Sequence, residues 1–289
     1  MAHALEKSGD YRVLRRLVPR DVITPVPADQ PIKVGVLLDV ETTGLDARTD
    51  EVIELGMVKF AYFPDGRVAH VIDNFGSLNE PANSIPGEII TLTGITNEMV
   101  AGKRIDAAAV STFVSDANIV IAHNANFDRK FAERYWPEFE HKPWGCSATE
   151  IDWRARGFEG SRLGYLLMGA GLFHTAHRAV DDCRALLEIL AMTLAKTEQP
   201  ALGSLLDRAR RNTVRIWAEG APYDLKDELK KRKYRWNDGS DGRPRSWHIQ
   251  IDEDSLDAEM KFLRQEIYRR DVELIVQSVT ALTRFSDRS

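Results

Sequence analysis

The sequence predicts an α/β domain, a mixed five-stranded sheet flanked by helices, followed by a small α+β domain. Three observations predict it. Segments of strand period and of helix period follow one another along residues 33–196, in the order that builds a mixed sheet with helices packed against it. The tetrapeptide Phe63-Pro-Asp-Gly66 joins two apolar runs, so part of the sheet is antiparallel. Beyond residue 200 the charge balance turns from acidic to slightly basic, with 18 Lys and Arg against 16 Asp and Glu, compared with 21 against 28 before it.

Residues 1–31 are charged and end in Thr24-Pro-Val-Pro-Ala-Asp-Gln-Pro31, which reads as an extended arm. A strand runs from about residue 33 to 39 and is followed by a glycine-bearing turn. Residues 51–62 and 67–76 form the antiparallel pair. Residues 86–94 are a short helix and turn, and residues 106–115 a helix capped by Asp106. Residues 119–122 are a short buried strand. Residues 126–135 are helical, with Phe127, Phe131 and Tyr135 on one face at i, i+4 and i+8. Helices follow at 163–170 and 179–196, with a fifth strand before them. These bounds give a larger first domain over 32–198, a basic helical linker over 199–221 and a small domain over 222–289. In the last, a short basic helix precedes a hairpin and a helix from about 254 to 270; Trp236 and Trp247 either pack across the hairpin as a small core or offer rings on which the bases of a single strand stack. Lys230, Lys231, Arg232, Lys233 and Arg235 suit a solvated face and a phosphate-binding face equally well.

At 289 residues, 43% hydrophobic and 29% charged, the composition is that of a soluble globular protein. No apolar run approaches the roughly 20 residues that span a bilayer, and no leader pattern opens the chain. Cys146 and Cys183 are too few for a disulfide framework and form no CxxC pair. A reduced, cytoplasmic setting without a membrane is therefore expected. The net charge of −5 is only a weak argument against a polyanionic partner, because a local basic path can coexist with an acidic remainder.

Chemistry is concentrated in three segments. In Leu37-Leu-Asp39-Val-Glu41-Thr-Thr-Gly-Leu45, strand alternation points both acids to one side, where like charges repel unless a cation sits between them. Divalent metals are the simplest cation for carboxylate oxygens. In His123-Asn124-Ala-Asn-Phe-Asp128, a strand end and polar turn lead into a helix with an acid in its first turn. In His174-Thr-Ala-His177-Arg-Ala-Val-Asp181-Asp182, a histidine again sits just ahead of a helix whose first turn is acidic.

In this order and spacing the three segments resemble the DEDD exonuclease superfamily, in its histidine-containing DEDDh branch, over roughly residues 32–196. The resemblance implies an RNase H-like fold and a metal-dependent 3′–5′ exonuclease that releases 5′-mononucleotides. It carries over Asp39 and Glu41 from Asp-x-Glu, Asp128 from Asn-Ala-x-Phe-Asp, and His177 and Asp182 from His-x-Ala-x-x-Asp, whose spacing selects Asp182 over Asp181. The implied cofactors are two divalent ions, Mg²⁺ or Mn²⁺, held by Asp39, Glu41, Asp128 and Asp182, with His177 as general base. Thr42, Thr43, Gly44 and Leu45 resemble the segment that meets the terminal nucleotide, Leu45 as an apolar wedge beside the last base. His123 and Asn124 are candidates for capping the helix of Asp128 or for touching substrate. His174 is read as structural, Asp181 as a solvated neighbour and Cys183 as a small buried filler.

The partners implied are single-stranded or frayed 3′ ends of DNA, with RNA as the alternative, and a DNA polymerase. Metal ligands do not report the sugar, whereas contacts to a 2′-hydroxyl do, so proofreading-type enzymes and exoribonucleases of the RNase T and oligoribonuclease kind share this pattern. A non-catalytic nucleic-acid-binding scaffold is the competing class. The intact set Asp39, Glu41, Asp128, His177 and Asp182 argues against it.

Overall fold

The alternating run at residue 33 becomes β1 (Lys33–Thr42), the central strand of a five-stranded sheet in the computed structural model, which describes residues 2–194 and 198–288. On one side β1 pairs antiparallel with β2 (Val52–Tyr62), and β2 with β3 (Val68–Leu78). On the other it pairs parallel with β4 (Ile119–Ala122), and β4 with β5 (Trp144–Cys146). The order β3-β2-β1-β4-β5 is the mixed five-stranded sheet that the sequence predicts. The β2–β3 hairpin closes at Gly66, whose φ of 89° suits glycine alone.

Along the chain lie α1 (Gly87–Thr93), α2 (Ala107–Val114), α3 (Ala125–Tyr135), α4 (Leu163–Gly169), α5 (Ala179–Ala191) and α6 (Ala201–Arg210). Because side chains alternate across a strand, the sheet builds a core on each face. Leu37, Val58 and Phe60 pack with Leu166 of α4, Cys183 and Leu186 of α5, and Leu202 and Leu205 of α6. Val36, Leu38, Val40 and Met57 pack on the other face with Val110 of α2, Phe131 of α3 and Trp144. Asp106 caps α2 as expected, its Oδ1 accepting the N–H of Ala108 at 2.9 Å.

Three boundaries differ from the sequence reading. The N-terminal arm is fastened along the domain: Arg15–Arg16 pair in parallel with Leu172–Phe173, the N–H of Ile23 donates to Ala69, and Arg20 binds the buried carboxylate of Glu188. The helix expected over 179–196 ends at Ala191, and its residues 195 and 196 lie outside the described residues. The stretch expected as a linker is not one. Its first half is α6, whose Leu202, Leu205, Leu206 and Ala209 recur at helical spacing and are buried, and its second half holds a strand.

The chain divides into a first unit of residues 2–209 and 285–288 and a second of 210–284. The second unit therefore starts ahead of residue 222. It is a four-stranded antiparallel sheet of order β9-β6-β8-β7, built from β6 (Thr213–Ala218), β7 (Arg235–Trp236), β8 (Trp247–Asp252) and β9 (Ile275–Val279). Helices α7 (Lys226–Lys231) and α8 (Leu256–Phe262) accompany it, and Ile216, Ala218, Leu229, Tyr234, Leu263 and Ile267 form its core. Among the described residues no helix is long and apolar enough to cross a membrane.

Candidate active site

Strand alternation sets Leu37, Asp39 and Glu41 on the face of the sheet covered by α5. That helix can approach closely because Gly56 of β2, paired with Asp39, has no side chain; a Cβ there would stand 2.3 Å from the carbonyl carbon of Ala179. The first turn of α5 thus delivers Asp182 to the strand. One carboxylate oxygen from each of Asp39, Glu41 and Asp182 lies within 4.8 Å of the others. Asp128 arrives from α3. The β1–β4 ladder runs only to Leu37, and beyond it the N–H of Val40 donates to Asp128 Oδ1 at 3.3 Å. Asp128 is 3% exposed, and neither neighbouring cation pairs with it: Arg129 binds Glu133 and Lys130 binds Asp287.

Burial and crowding dominate the electrostatics. Burial, followed by the charges of Asp128, Asp182 and Glu41, pushes Asp39 well above the usual carboxylate range. Glu41 is pushed up to about 8 by burial and then by Asp182, Glu54 and Asp128, with Arg178 opposing. Burial pushes Asp128 up to about 7 against the pull of its backbone hydrogen bonds. The cluster is a hard-oxygen donor set with more negative charge than its protein neighbours neutralise, which is what a divalent cation requires. The residues fit such a metal.

The third segment is tied to the same carboxylate. His174 Nε2 donates to Asp182 Oδ1 at 2.6 Å, and the backbone N–H of His177 donates to Oδ2 at 2.7 Å. His177 has a φ of 67°, a left-handed conformation that histidine tolerates better than most residues. That turn anchors the loop bearing its ring directly to Asp182. Asp181 is exposed and Cys183 is buried, with burial, and then the nearby acids, holding its thiol well above its ordinary range. Nothing there makes a reactive thiolate.

An exonuclease family, RNase T, matches residues 36–190, more than half of the chain and all of the three segments. The chain belongs to the RNase T exonuclease family. It is 32% identical over 166 residues to the DNA polymerase III subunit epsilon of Treponema pallidum, covering 54% of this chain and 74% of that protein. It is 32% identical over 170 residues to the PolC-type DNA polymerase III of Thermotoga petrophila, of whose length it spans only 11%. Among solved structures, a zinc-bound Escherichia coli exonuclease I complex with single-stranded DNA superposes with a TM-score of 0.52 at 14% identity, over 81% of this chain and 71% of that one. That likeness supports the fold.

In this exonuclease domain the turn after β1 carries the residues expected to meet substrate. Thr42 Oγ1 donates to the carbonyl of Gly44 at 2.6 Å, and the N–H of Glu51 donates to Thr43 Oγ1 at 2.9 Å. A Cβ on Gly44 would stand 2.5 Å from the Asp50 carboxylate, so a larger residue there requires that side chain to move. Leu45 is 86% exposed, an apolar side chain in water with no core to cover. His123 and Asn124 do not cap α3 with their side chains: His123 Nδ1 meets Ser147 Oγ at 2.8 Å, and Asn124 uses its backbone carbonyl, accepting from Phe127 and Asp128.

Sequence reasoning missed Glu54, while His174, read as structural, is hydrogen-bonded to Asp182. Glu54 faces Glu41 across the β1–β2 ladder, accepts Arg178 Nη2 at 2.9 Å, and caps α5 by accepting the N–H of Ala179 at 3.1 Å. The available signal was a lone acid inside the apolar run Val-Ile-Glu-Leu-Gly-Met-Val. Glu54→Ala is expected to destabilise the domain by about 1–3 kcal/mol, the range for losing charge-assisted hydrogen bonds. It should also raise the Mn²⁺ concentration needed for half-maximal activity. Thermal melts and a metal titration measure both, and an unchanged metal dependence would show that Glu54 does not position Asp182.

Proposed function

We propose that the exonuclease domain is a metal-dependent 3′–5′ exonuclease that releases 5′-mononucleotides from DNA 3′ ends. The observation that carries this reading is the convergence of Asp39, Glu41 and Asp182 within 4.8 Å, with Asp128 buried beside them, in a member of an exonuclease family. Asp39, Glu41, Asp128 and Asp182 would hold two divalent ions, Mg²⁺ or Mn²⁺. Bound there, the ions supply Lewis acidity toward the attacking water and the leaving 3′ oxygen. His177 accepts the proton of the water that attacks phosphorus, and the bond from phosphorus to the 3′ oxygen of the preceding nucleotide breaks. The hydrogen bond from the His177 backbone N–H to Asp182 ties the loop that carries this base to one of the carboxylates, which supports the assignment. Leu45, exposed after the Gly44 turn, would rest against the terminal base.

DNA is favoured as the substrate by the two similar proteins, both DNA polymerase III components. Digestion of 3′-labelled single-stranded DNA, duplex DNA with a 3′ mismatch and RNA, each with Mg²⁺, Mn²⁺ or EDTA, tests the proposal. Release of mononucleotides from DNA with either metal and none in EDTA is expected; preferential release from RNA would replace the substrate, and release in EDTA would refute the metal chemistry. His177→Ala is expected to lower turnover by about 10²–10⁴-fold while leaving Mn²⁺ affinity within a few-fold, as removal of a general base does. Single-turnover rates and calorimetric metal titration check it, and an unchanged rate would remove His177 from proton transfer.

A further inference from the structure

Two aromatic rings of the second unit lie in water, one of them beneath a lysine. Tyr223 is 75% exposed and Trp236 is 50% exposed, although the unit has its own apolar core. Trp247 packs on that core, and Trp236, its partner in the β7–β8 register, stands edge-on to it with ring centroids 5.7 Å apart. Lys226 Nζ lies 3.8 Å from the Tyr223 ring centroid and Lys230 Nζ lies 6.0 Å from that of Trp247. Lys226 and Lys230 are four residues apart on α7 and so share one face of it. Tyr223, Lys226, Lys230, Trp247 and Trp236 therefore form one continuous strip of ring, cation, cation, ring and ring.

Charge supports the same surface. Residues 222–236 hold six Lys and Arg against three Asp and Glu, in a chain of net charge −5. Arg232 is committed to the buried carboxylate of Glu259. Lys226 and Lys230 keep their ammonium groups at the rings, and the Asp227 contact of Lys230, at 3.7 Å between exposed side chains, is worth little.

We propose that this strip binds single-stranded nucleic acid, bases on the Tyr223 and Trp236 rings and phosphates on Lys226 and Lys230. An unpaired strand offers ring faces and phosphates in alternation, which is what the strip would satisfy. A duplex hides its base faces, and an acidic peptide would engage the lysines while leaving the rings in water. The proposal depends on the exonuclease reading only for the class of ligand.

The test is fluorescence anisotropy of labelled dT20 with the full chain in EDTA, across a salt series. It needs neither metal nor cleavage, so its outcome is separate from whether the chain digests DNA. Trp236→Ala is expected to weaken binding about tenfold, the loss of one stacked base. Lys226→Gln with Lys230→Gln is expected to flatten the slope of log affinity against log salt by about 1.4, the value for two phosphate contacts on a single strand. Lys230 is exposed and Lys226 half-buried on the short helix α7, outside the hairpin, so the pair carries the test even if Trp236→Ala disturbs the hairpin. Affinity within twofold for Trp236→Ala in a folded protein, or an unchanged salt slope for the lysine pair, would overturn the proposal.

Discussion

Asp39→Asn is expected to abolish metal-dependent release of nucleotides, by at least about a thousandfold, and at the same time to raise the melting temperature of the metal-free protein. Both effects follow from one position. Asp39 is flanked by the charges of Asp128, Asp182, Glu41 and Glu54 and stands opposite Gly56, where α5 presses closest to the sheet. An amide of the same shape keeps the packing but removes the anionic oxygens that would bind metal, and metal stabilisation of the developing charges is worth several kcal/mol, each 1.4 kcal/mol being a factor of ten in rate. The same exchange takes a buried acid out of a cluster of like charges, which relieves the metal-free fold. Release of nucleotides from 3′-labelled DNA and a thermal melt in EDTA measure the pair of effects. Retained release would remove Asp39 from the reaction. A lower melting temperature would show that carboxylate crowding does not strain this site.

The parts of the site that could be read from the sequence are those whose cause is local. The pairing of Asp39 and Glu41 on one face is a consequence of strand period, and Asp128 and Asp182 fall in first helical turns because acids are favoured there. The strand of Asp39 runs three residues beyond its expected end, to Thr42, because β2 keeps pairing with it through an irregularity at Glu41 and Thr42. Glu54 is not legible in the sequence because its partner Arg178 is 124 residues away, and the specific contact of His174 with Asp182 is not because it depends on how the loop folds back on α5. Around α6, arginines at 208, 210 and 211 drew attention to charge and away from the apolar spacing of Leu202, Leu205, Leu206 and Ala209. The N-terminal arm carries no periodicity of its own; its place is set by the Arg20 contact to Glu188 and by bonds to the edge strand β3.

Metal-free protein is expected to lose thermal stability as pH rises from 6 to 8, and divalent metal should reverse the trend. A carboxyl whose folded pKa lies above its unfolded value keeps a proton that the unfolded chain has released, so its contribution to stability is present at low pH and is lost as pH climbs through the folded value. Glu41 rises from 4.5 to about 8 and Asp128 from 3.8 to about 7, so both lose their contribution within this window. At about 1.4 kcal/mol per unit of pH for each protonated group, the loss is of order 3 kcal/mol, or roughly 10 °C for a unit of this size. His123 acts with the opposite sign, because burial lowers its pKa, but its contribution grows only up to its ordinary value near 6.5. Metal binds the ionised carboxylates in competition with protons, so the stabilisation by Mn²⁺ should grow with pH. Scanning calorimetry at pH 6, 7 and 8, in EDTA and in Mn²⁺, reads both trends. A metal-free melting temperature that holds or rises to pH 8 would mean that the carboxylates are already compensated within the protein, and a Mn²⁺ shift largest at pH 6 would mean that the cation binds somewhere other than this acidic cluster.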